Sequence, residues 1–323
     1  MNSTSQAPGD APTLARLDQL AVIGFDGADA ASFLHGQFST DVTAMPAGTV
    51  RWTSYNSPKG RVLATLLLWR RAPDSFAALV AADLAPGLRK RMTMFVLRAK
   101  VAISDRSAAA ALFGIAGSGA AAAIRSAFGA SIEAGQGMAL GEADVVATPD
   151  GRYAVCAPLA AADAIRARLP AAATPTSYWD WLGVRAGVPV VTAATQDLFI
   201  PQTLNLDLIG GIDFRKGCYP GQEIVARMQY LGRLKERLFA FHVDAPPPSA
   251  GARIHASTAE SPVGTVINAA SVSSGSSDLL AVVAWDAAEA GDLRLGAVDG
   301  PRLAPLDLPY VVPAPVAPSR VKL

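Results

Sequence analysis

Cysteine and histidine are scarce in this 323-residue chain, which has two of the first, Cys156 and Cys218, and three of the second, His35, His242 and His255. Two cysteines cannot make a disulfide framework, and no zinc-ligand spacing joins them to each other or to a histidine. So little cysteine fits a reducing cytoplasm, and no metal site is expected. An excess of charge is also missing, with 28 Lys and Arg against 27 Asp and Glu. No global field draws nucleic acid or an anionic membrane, and neither is expected as a direct partner. A Walker A motif and the serine-hydrolase motifs are absent. Long apolar runs are absent as well. Between Arg106 and Arg125 the only large apolar residues are Leu112, Phe113, Ile115 and Ile124; alanine and glycine insert poorly, so a membrane span is excluded there. Residues 1–12 are polar, lack the apolar region of a signal peptide, and are expected to form a disordered tail.

What is present reads as strands and helices without strict alternation, the pattern of α+β subdomains. Strands are expected over Leu20–Gly24, Val50–Tyr55, Val62–Trp69, Phe76–Val80, Lys100–Ile103, Ala110–Ile115 and Arg152–Cys156. Helices are expected over Asp29–Gln37, with Asp26 or Asp29 as cap, and over Leu84–Phe95, Ala160–Leu169 and Trp179–Gly187. Pro58-Lys59-Gly60 marks a hairpin turn. After Arg237 the composition shifts. Short strands at Leu238–Val243, Arg253–Ala256, Val263–Asn268 and Leu279–Trp285, separated by proline, glycine and serine, point to a small β-barrel or sandwich over 233–308. Four prolines in 309–323 read as an extended tail.

One stretch is dense in chemistry: Arg215-Lys216-Gly217-Cys218-Tyr219-Pro220-Gly221-Gln222-Glu223. Glycine and proline turn the backbone there, and the glycines allow close approach to a ligand. Cations beside a thiol stabilise its thiolate, so Lys216 and Arg215 make Cys218 a candidate redox thiol; the bland alternative is a small half-buried residue in a turn. Cys156, within Tyr153-Ala154-Val155-Cys156, reads as core. If Gly221 opens a helix, Glu223 complements the dipole of its first turn and pairs with Arg227 at i+4. Arg215, Lys216, Arg227, Arg233, Lys235 and Arg237 face only Glu223 and Glu236 within 215–237, a segment able to attract an anionic ligand. A second basic run, Arg89, Lys90, Arg91, Arg98 and Lys100, reads as a solvated helix face. Gly117-Ser118-Gly119 matches a dinucleotide turn only formally, because no parallel strand–helix–strand repeat follows.

The series Phe199-Ile200-Pro201-Gln202, Asn205-Leu206, Gly210-Gly211-Ile212 and Lys216-Gly217-Cys218-Tyr219-Pro220-Gly221-Gln222-Glu223-Ile224-Val225-Ala226-Arg227 closely resembles the YgfZ family, folate-binding proteins related to the aminomethyltransferase of glycine cleavage. Phe33-Leu34-His35-Gly36-Gln37 with Asp41-Val42, Pro58-Lys59-Gly60-Arg61, Leu97-Arg98-Ala99-Lys100-Val101 and Ala186-Gly187-Val188-Pro189 extend the resemblance over most of residues 14–300. It implies a three-part ring, with two α+β subdomains over 13–232 and a C-terminal β-barrel around a central channel for tetrahydrofolate. It also implies a cytoplasmic, monomeric accessory factor that assembles or repairs iron–sulfur clusters in client enzymes, a radical tRNA-methylthiolating enzyme among them. Cys218 and Lys216 would carry the chemistry. Tyr55, Asn56, Gln202, Asn205, Arg215, Gln222, Glu223 and Arg227 are the candidate folate-site residues.

Two departures bear on activity. Aminomethyltransferases carry an acidic residue after the hairpin turn, whereas Lys59 to Trp69 holds none, so no carboxylate is present for proton transfer there. Relatives often place a glutamate just before Ala-Gly; this chain has Arg185, which cannot accept pterin N–H bonds, so either another residue such as Asp41 or Glu223 takes that role or folate binds differently or weakly. Whether the chain turns over a substrate stays open. A folate-dependent transferase or demethylase and a non-catalytic scaffold are the alternatives. Two cysteines exclude a permanent four-thiolate cluster within one chain.

Overall fold

A computed structural model describes residues 11–232 and 234–315; the tail expectations for 1–10 and 316–323, and Arg233, lie outside it. The chain forms two compact units. The first contains residues up to His35 together with 41–52 and 66–179, and the second contains 36–40, 53–65 and the chain from Asp180 onward.

In the first unit a six-stranded sheet has the order Ala172–Ala173, Thr13–Arg16, Ala110–Ala116, Tyr153–Pro158, Ala143–Ala147, Gly137–Leu140. Only the first pair is parallel. Side chains alternate between faces with the two-residue period of a strand. Leu14, Phe113, Ile115, Val145, Tyr153 and Val155 pack on helices Ala120–Phe128 and Ala162–Arg168 through Ala120, Ile124, Ala127 and Ile165. Their neighbours Ala15, Leu112, Val146 and Ala154 join Val22, Leu67, Trp69, Ala77 and Leu79 in a second core, completed by Trp179. A Cβ on Gly114 would sit 2.4 Å from the Trp179 ring, so this strand glycine makes room for an indole. Arg152 closes the other side, 4.2 Å over that ring, with Nη1 donating to the Trp179 carbonyl at 3.0 Å.

A five-stranded sheet has the order Val50–Asn56, Val62–Ala72, Ser75–Ala81, Leu20–Asp26, Ala102–Asp105. The chain passes from one unit to the other within its first two strands. Strand Ala102–Asp105 starts later than the expected Lys100, because Asp29 ties the Lys100 backbone into a loop: Asp29 Oδ2 accepts the Lys100 amide at 2.7 Å, and the Asp29 amide donates to the Lys100 carbonyl. Asp26, the other expected cap, accepts from Ser75 and Arg106. The expected helix Asp29–Gln37 is shorter, Ala30–His35, as Phe38 enters a bridge with Tyr55. Gly117-Ser118-Gly119 does link a strand to a helix, but that strand has antiparallel partners on both sides. No dinucleotide fold is formed.

In the second unit, six antiparallel strands run in the order Leu293–Leu295, Arg253–Ala256, Gly264–Ser273, Ser276–Ala284, Glu236–Val243, Ala304–Leu306. Phe241, Ile254, Val266, Leu279, Ala281 and Val283 form its core. Trp285, expected to end a strand, opens the helix Trp285–Ala290, and its ring lies 5.5 Å from Phe239. Tyr310, in the stretch read as a tail, is pinned: its hydroxyl donates to the Gly187 carbonyl at 2.7 Å.

Candidate functional site

The chemistry-dense stretch lies in the second unit and is built on the hairpin turn. The Ser57 amide donates to the Arg61 carbonyl, and the Gly60 amide to that of Ser57. Residues 196–199 run along the second hairpin strand. Val62 N–H reaches the Phe199 carbonyl at 2.7 Å, Asp197 N–H reaches that of Val62 at 2.9 Å, and Gln196 Nε2 donates to that of Leu63 at 2.8 Å. Ser57 Oγ donates to Asp197 Oδ1 at 2.8 Å, and Arg61 donates to the Leu198 carbonyl.

Tight turns follow from 200 to 211. Asn205 takes a left-handed backbone, φ 58°, which asparagine adopts more readily than most residues. Its side chain is buried; Nδ2 donates to the Leu238 carbonyl at 2.8 Å, and Oδ1 accepts from Arg237. Arg237 forms a forked, buried pair with Asp207 at 2.7 and 3.0 Å and donates to the Gln202 carbonyl at 2.6 Å. Gln202, wholly buried, donates from Nε2 to the Val225 carbonyl at 2.7 Å and so holds the helix Gln222–Tyr230. Burial, reinforced by Asp207 and opposed by Asn205 and Arg237, pushes the Tyr310 phenol up to about 12.

Gly221 and Gly60 interlock. Both have positive φ, 78° and 72°, and a Cβ on Gly221 would lie 2.5 Å from Gly60 Cα and from the Ser57 carbonyl oxygen. A Cβ on Gly60 would lie 2.8 Å from Ile224 Cβ. The signature helix therefore starts against the hairpin turn, with backbone on backbone, where only glycine fits.

Lys216 is buried. Its Nζ donates to the Phe38 carbonyl at 2.6 Å and lies 4.7 Å from the centre of the Tyr219 ring. Cys218, two residues on, is exposed. The ammonium is thus engaged with Phe38 and Tyr219, which ties the signature to the segment 36–40. Burial, with Asp213 as a lesser cause, pushes the Tyr219 phenol up to about 12. Ser39 is a second tie. Its hydroxyl donates to the Gly211 carbonyl at 2.6 Å and accepts from the Ser54 amide and hydroxyl, each at 2.9 Å.

Tyr55 is buried edge-on to Phe38 with ring centres 6.4 Å apart. Asn56 beside it is buried, and neither its Oδ1 nor its Nδ2 has a hydrogen-bond partner; Gln202 Oε1 is likewise unpaired. Gln222 Nε2 donates to the Lys216 carbonyl at 3.3 Å. Arg215, Glu223 and Arg227 are exposed, and the ion pairs among the described residues do not include Glu223 with Arg227. The geometry thus links Gln202, Asn205, Lys216 and Gln222 into the frame of the signature and leaves Arg215, Glu223 and Arg227 at the surface. Sequence reasoning missed Ser39, Phe38 and Asp207, and it read Arg237 as part of an anion-attracting segment, whereas the structure buries it against Asp207.

Arg185 stands 3.7 Å from Asp278, a buried carboxylate that also accepts from Trp181 Nε1 at 2.8 Å and contacts His242 Nδ1 at 2.7 Å. Asp41 is committed to its own turn. Burial raises its carboxyl, but hydrogen bonds from Thr43 and Ala44 and the nearby His35 bring it below the usual value. Cys156 is half-buried; burial first, then Asp144, pushes its thiol up to about 11, with Arg71 and Arg106 opposing. Among the described residues no cluster of His, Cys, Asp and Glu can hold a metal ion, and no helix is long and apolar enough to cross a membrane.

No family model matches the chain. The tRNA-modifying protein YgfZ of Enterobacter sp. (strain 638) is 31% identical over 276 residues, covering 81% of this chain and 82% of its own. That of Edwardsiella ictaluri (strain 93-146) is 31% identical over 312 residues, 92% of each chain. Among solved structures, aminomethyltransferase T of the glycine cleavage system from Bartonella henselae has a TM-score of 0.76 at 16% identity, covering 93% of this chain and 86% of that one. The mixed α and β fold is therefore that of the aminomethyltransferase. With two relatives at this identity over most of their length, the chain belongs to the YgfZ family.

Proposed function

We propose that this chain binds tetrahydrofolate in its second unit and serves as an accessory factor for iron–sulfur enzymes, including enzymes that modify tRNA. The observation that carries the reading is Asn56, a fully buried carboxamide with both polar atoms unpaired. An unsatisfied buried polar group costs about 1–3 kcal/mol, and such sites are kept where a ligand completes them. The pyrimidine edge of a pterin offers N–H donors and acceptors, which the Asn56 carboxamide and Gln202 Oε1 complement. Bound tetrahydrofolate supplies a reduced one-carbon carrier. The residues of this chain hold and orient it, with Tyr55 beside Asn56 and the exposed Arg215 and Arg227 available to the anionic glutamate tail. The ring of two subdomains over 13–232 and a barrel over 233–308, with its central channel, belongs to this reading.

Cys218, exposed in the signature, is the thiol proposed to meet a client protein. The relatives are tRNA-modifying proteins by name, which supports a client that acts on tRNA. Aminomethyl transfer is disfavoured because no acid follows the hairpin turn from Lys59 to Trp69. The test is anaerobic calorimetry with tetrahydrofolate on wild type, Asn56→Leu and Cys218→Ser. Micromolar binding to wild type and Cys218→Ser, lost in Asn56→Leu, is expected. Binding by Asn56→Leu equal to wild type removes the pocket from this place, and no binding to any of the three leaves the scaffold alternative.

A further inference from the structure

The first unit carries a surface that the folate reading does not use. Helix Ala85–Thr93 buries Ala85, Leu88 and Met92 and exposes Arg89 and Lys90. Immediately after it come Met94, Phe95 and Leu97, with 60%, 46% and 89% of their surface exposed. These are large apolar side chains at one short tip, and Leu97 is held in a left-handed backbone, φ 44°, uncommon for leucine. Cations bracket the tip along the chain, with Arg89 and Lys90 before it and Arg98 and Lys100 after, all exposed. Arg91 lies 6.0 Å from the Phe95 ring centre. From Leu84 to Ser104 there is no carboxylate. The nearby acid Asp29 is committed to the Lys100 amide, and Asp83 and Asp105 lie just outside the run.

We infer that this tip docks the first unit onto an anionic lipid surface. Apolar residues at a tip, rimmed by lysine and arginine, match what an interface of acidic headgroups over acyl chains receives. A phosphodiester backbone would take the cations and leave Met94 and Leu97 in water. The attachment is peripheral and reversible. The chain's near-zero net charge does not oppose it, because screening confines the attraction to about a Debye length around the local run.

The test is co-sedimentation of the full chain with vesicles of phosphatidylethanolamine and phosphatidylglycerol, and separately with phosphatidylcholine. Binding to the anionic vesicles is expected, weakened by salt, and at least about tenfold weaker on the neutral ones. The pair Met94→Ser and Leu97→Ser should weaken it about tenfold or more. Arg98→Gln and Lys90→Gln should each weaken it about fivefold. All these side chains are exposed, and a thermal melt of each variant checks that the fold is kept. Failure of wild type to sediment with anionic vesicles overturns the inference, as does sedimentation unchanged by the tip pair. Binding of a tRNA transcript without vesicle binding would assign the run to nucleic acid instead, and a dimer lost in the tip pair would assign it to a second copy of the chain.

Discussion

Replacing Gly221 by alanine tests the interlock that holds the signature. The new Cβ meets Gly60 Cα and the Ser57 carbonyl oxygen at 2.5 Å, both backbone atoms of a hydrogen-bonded turn that cannot rotate away. The left-handed backbone at φ 78° adds about 1–2 kcal/mol for an L-residue. Relief requires moving the helix Gln222–Tyr230 off the hairpin, which strains the bond from Gln202 to the Val225 carbonyl. A total loss of about 3–5 kcal/mol is expected, in the range reserved for backbone strain plus overpacking. The internal control is Gly210→Ala, with a similar φ of 74° and no atom within 4 Å of the added carbon; it should cost only about 1–2 kcal/mol. Urea unfolding with a constant slope measures both. If Gly221→Ala loses no more than Gly210→Ala, the contact between turn and helix is not what fixes glycine at this position.

Asn56→Leu should leave stability unchanged or raise it by about 1–3 kcal/mol, since an unpaired buried carboxamide is removed, while tetrahydrofolate affinity falls; a large destabilisation in urea would show that the amide is paired in the folded chain. Asp207→Asn should cost about 3–5 kcal/mol by leaving the buried Arg237 unbalanced, and a loss under 1 kcal/mol counts against that pair. An aromatic disulfide reagent should titrate one thiol in the native protein. The thiol lost in Cys218→Ser is exposed, whereas Cys156, with its pKa near 11, should react only on unfolding. Tyr219 and Tyr310 both titrate near 12 when folded, against 10.0 in the unfolded chain. Their contribution is intact below about pH 10 and is lost as pH rises toward 12, because the unfolded state releases those protons first. Stability should therefore fall over that interval, and less steeply in Tyr310→Phe; a flat alkaline profile would contradict the burial of both phenols.

Local pattern made much of this chain legible. Short apolar runs marked Ala110–Ile115, Phe76–Val80 and Leu238–Val243 as strands, and the structure forms Ala110–Ala116, Ser75–Ala81 and Glu236–Val243, each buried along most of its length. Pro58-Lys59-Gly60 announced its turn, and the glycine-rich signature announced a backbone that must bend. The family itself was carried by residue types at fixed spacings. The hairpin Gly137–Leu140 with Ala143–Ala147 left little trace, as its first strand is mostly exposed and carries no clear alternation.

The sequence by itself determined that Cys218 sits among turns and cations, but only the tertiary structure decided where those cations point. Lys216 reaches back to Phe38 across 178 residues of chain, and the burial that makes this contact favourable comes from elements that spacing cannot place together. The same holds for Gly221 against Gly60, for Ser39 beneath Gly211, and above all for Asn56. Nothing local distinguishes an asparagine in a turn, solvated, from one that packing has sealed from water with its amide unpaired.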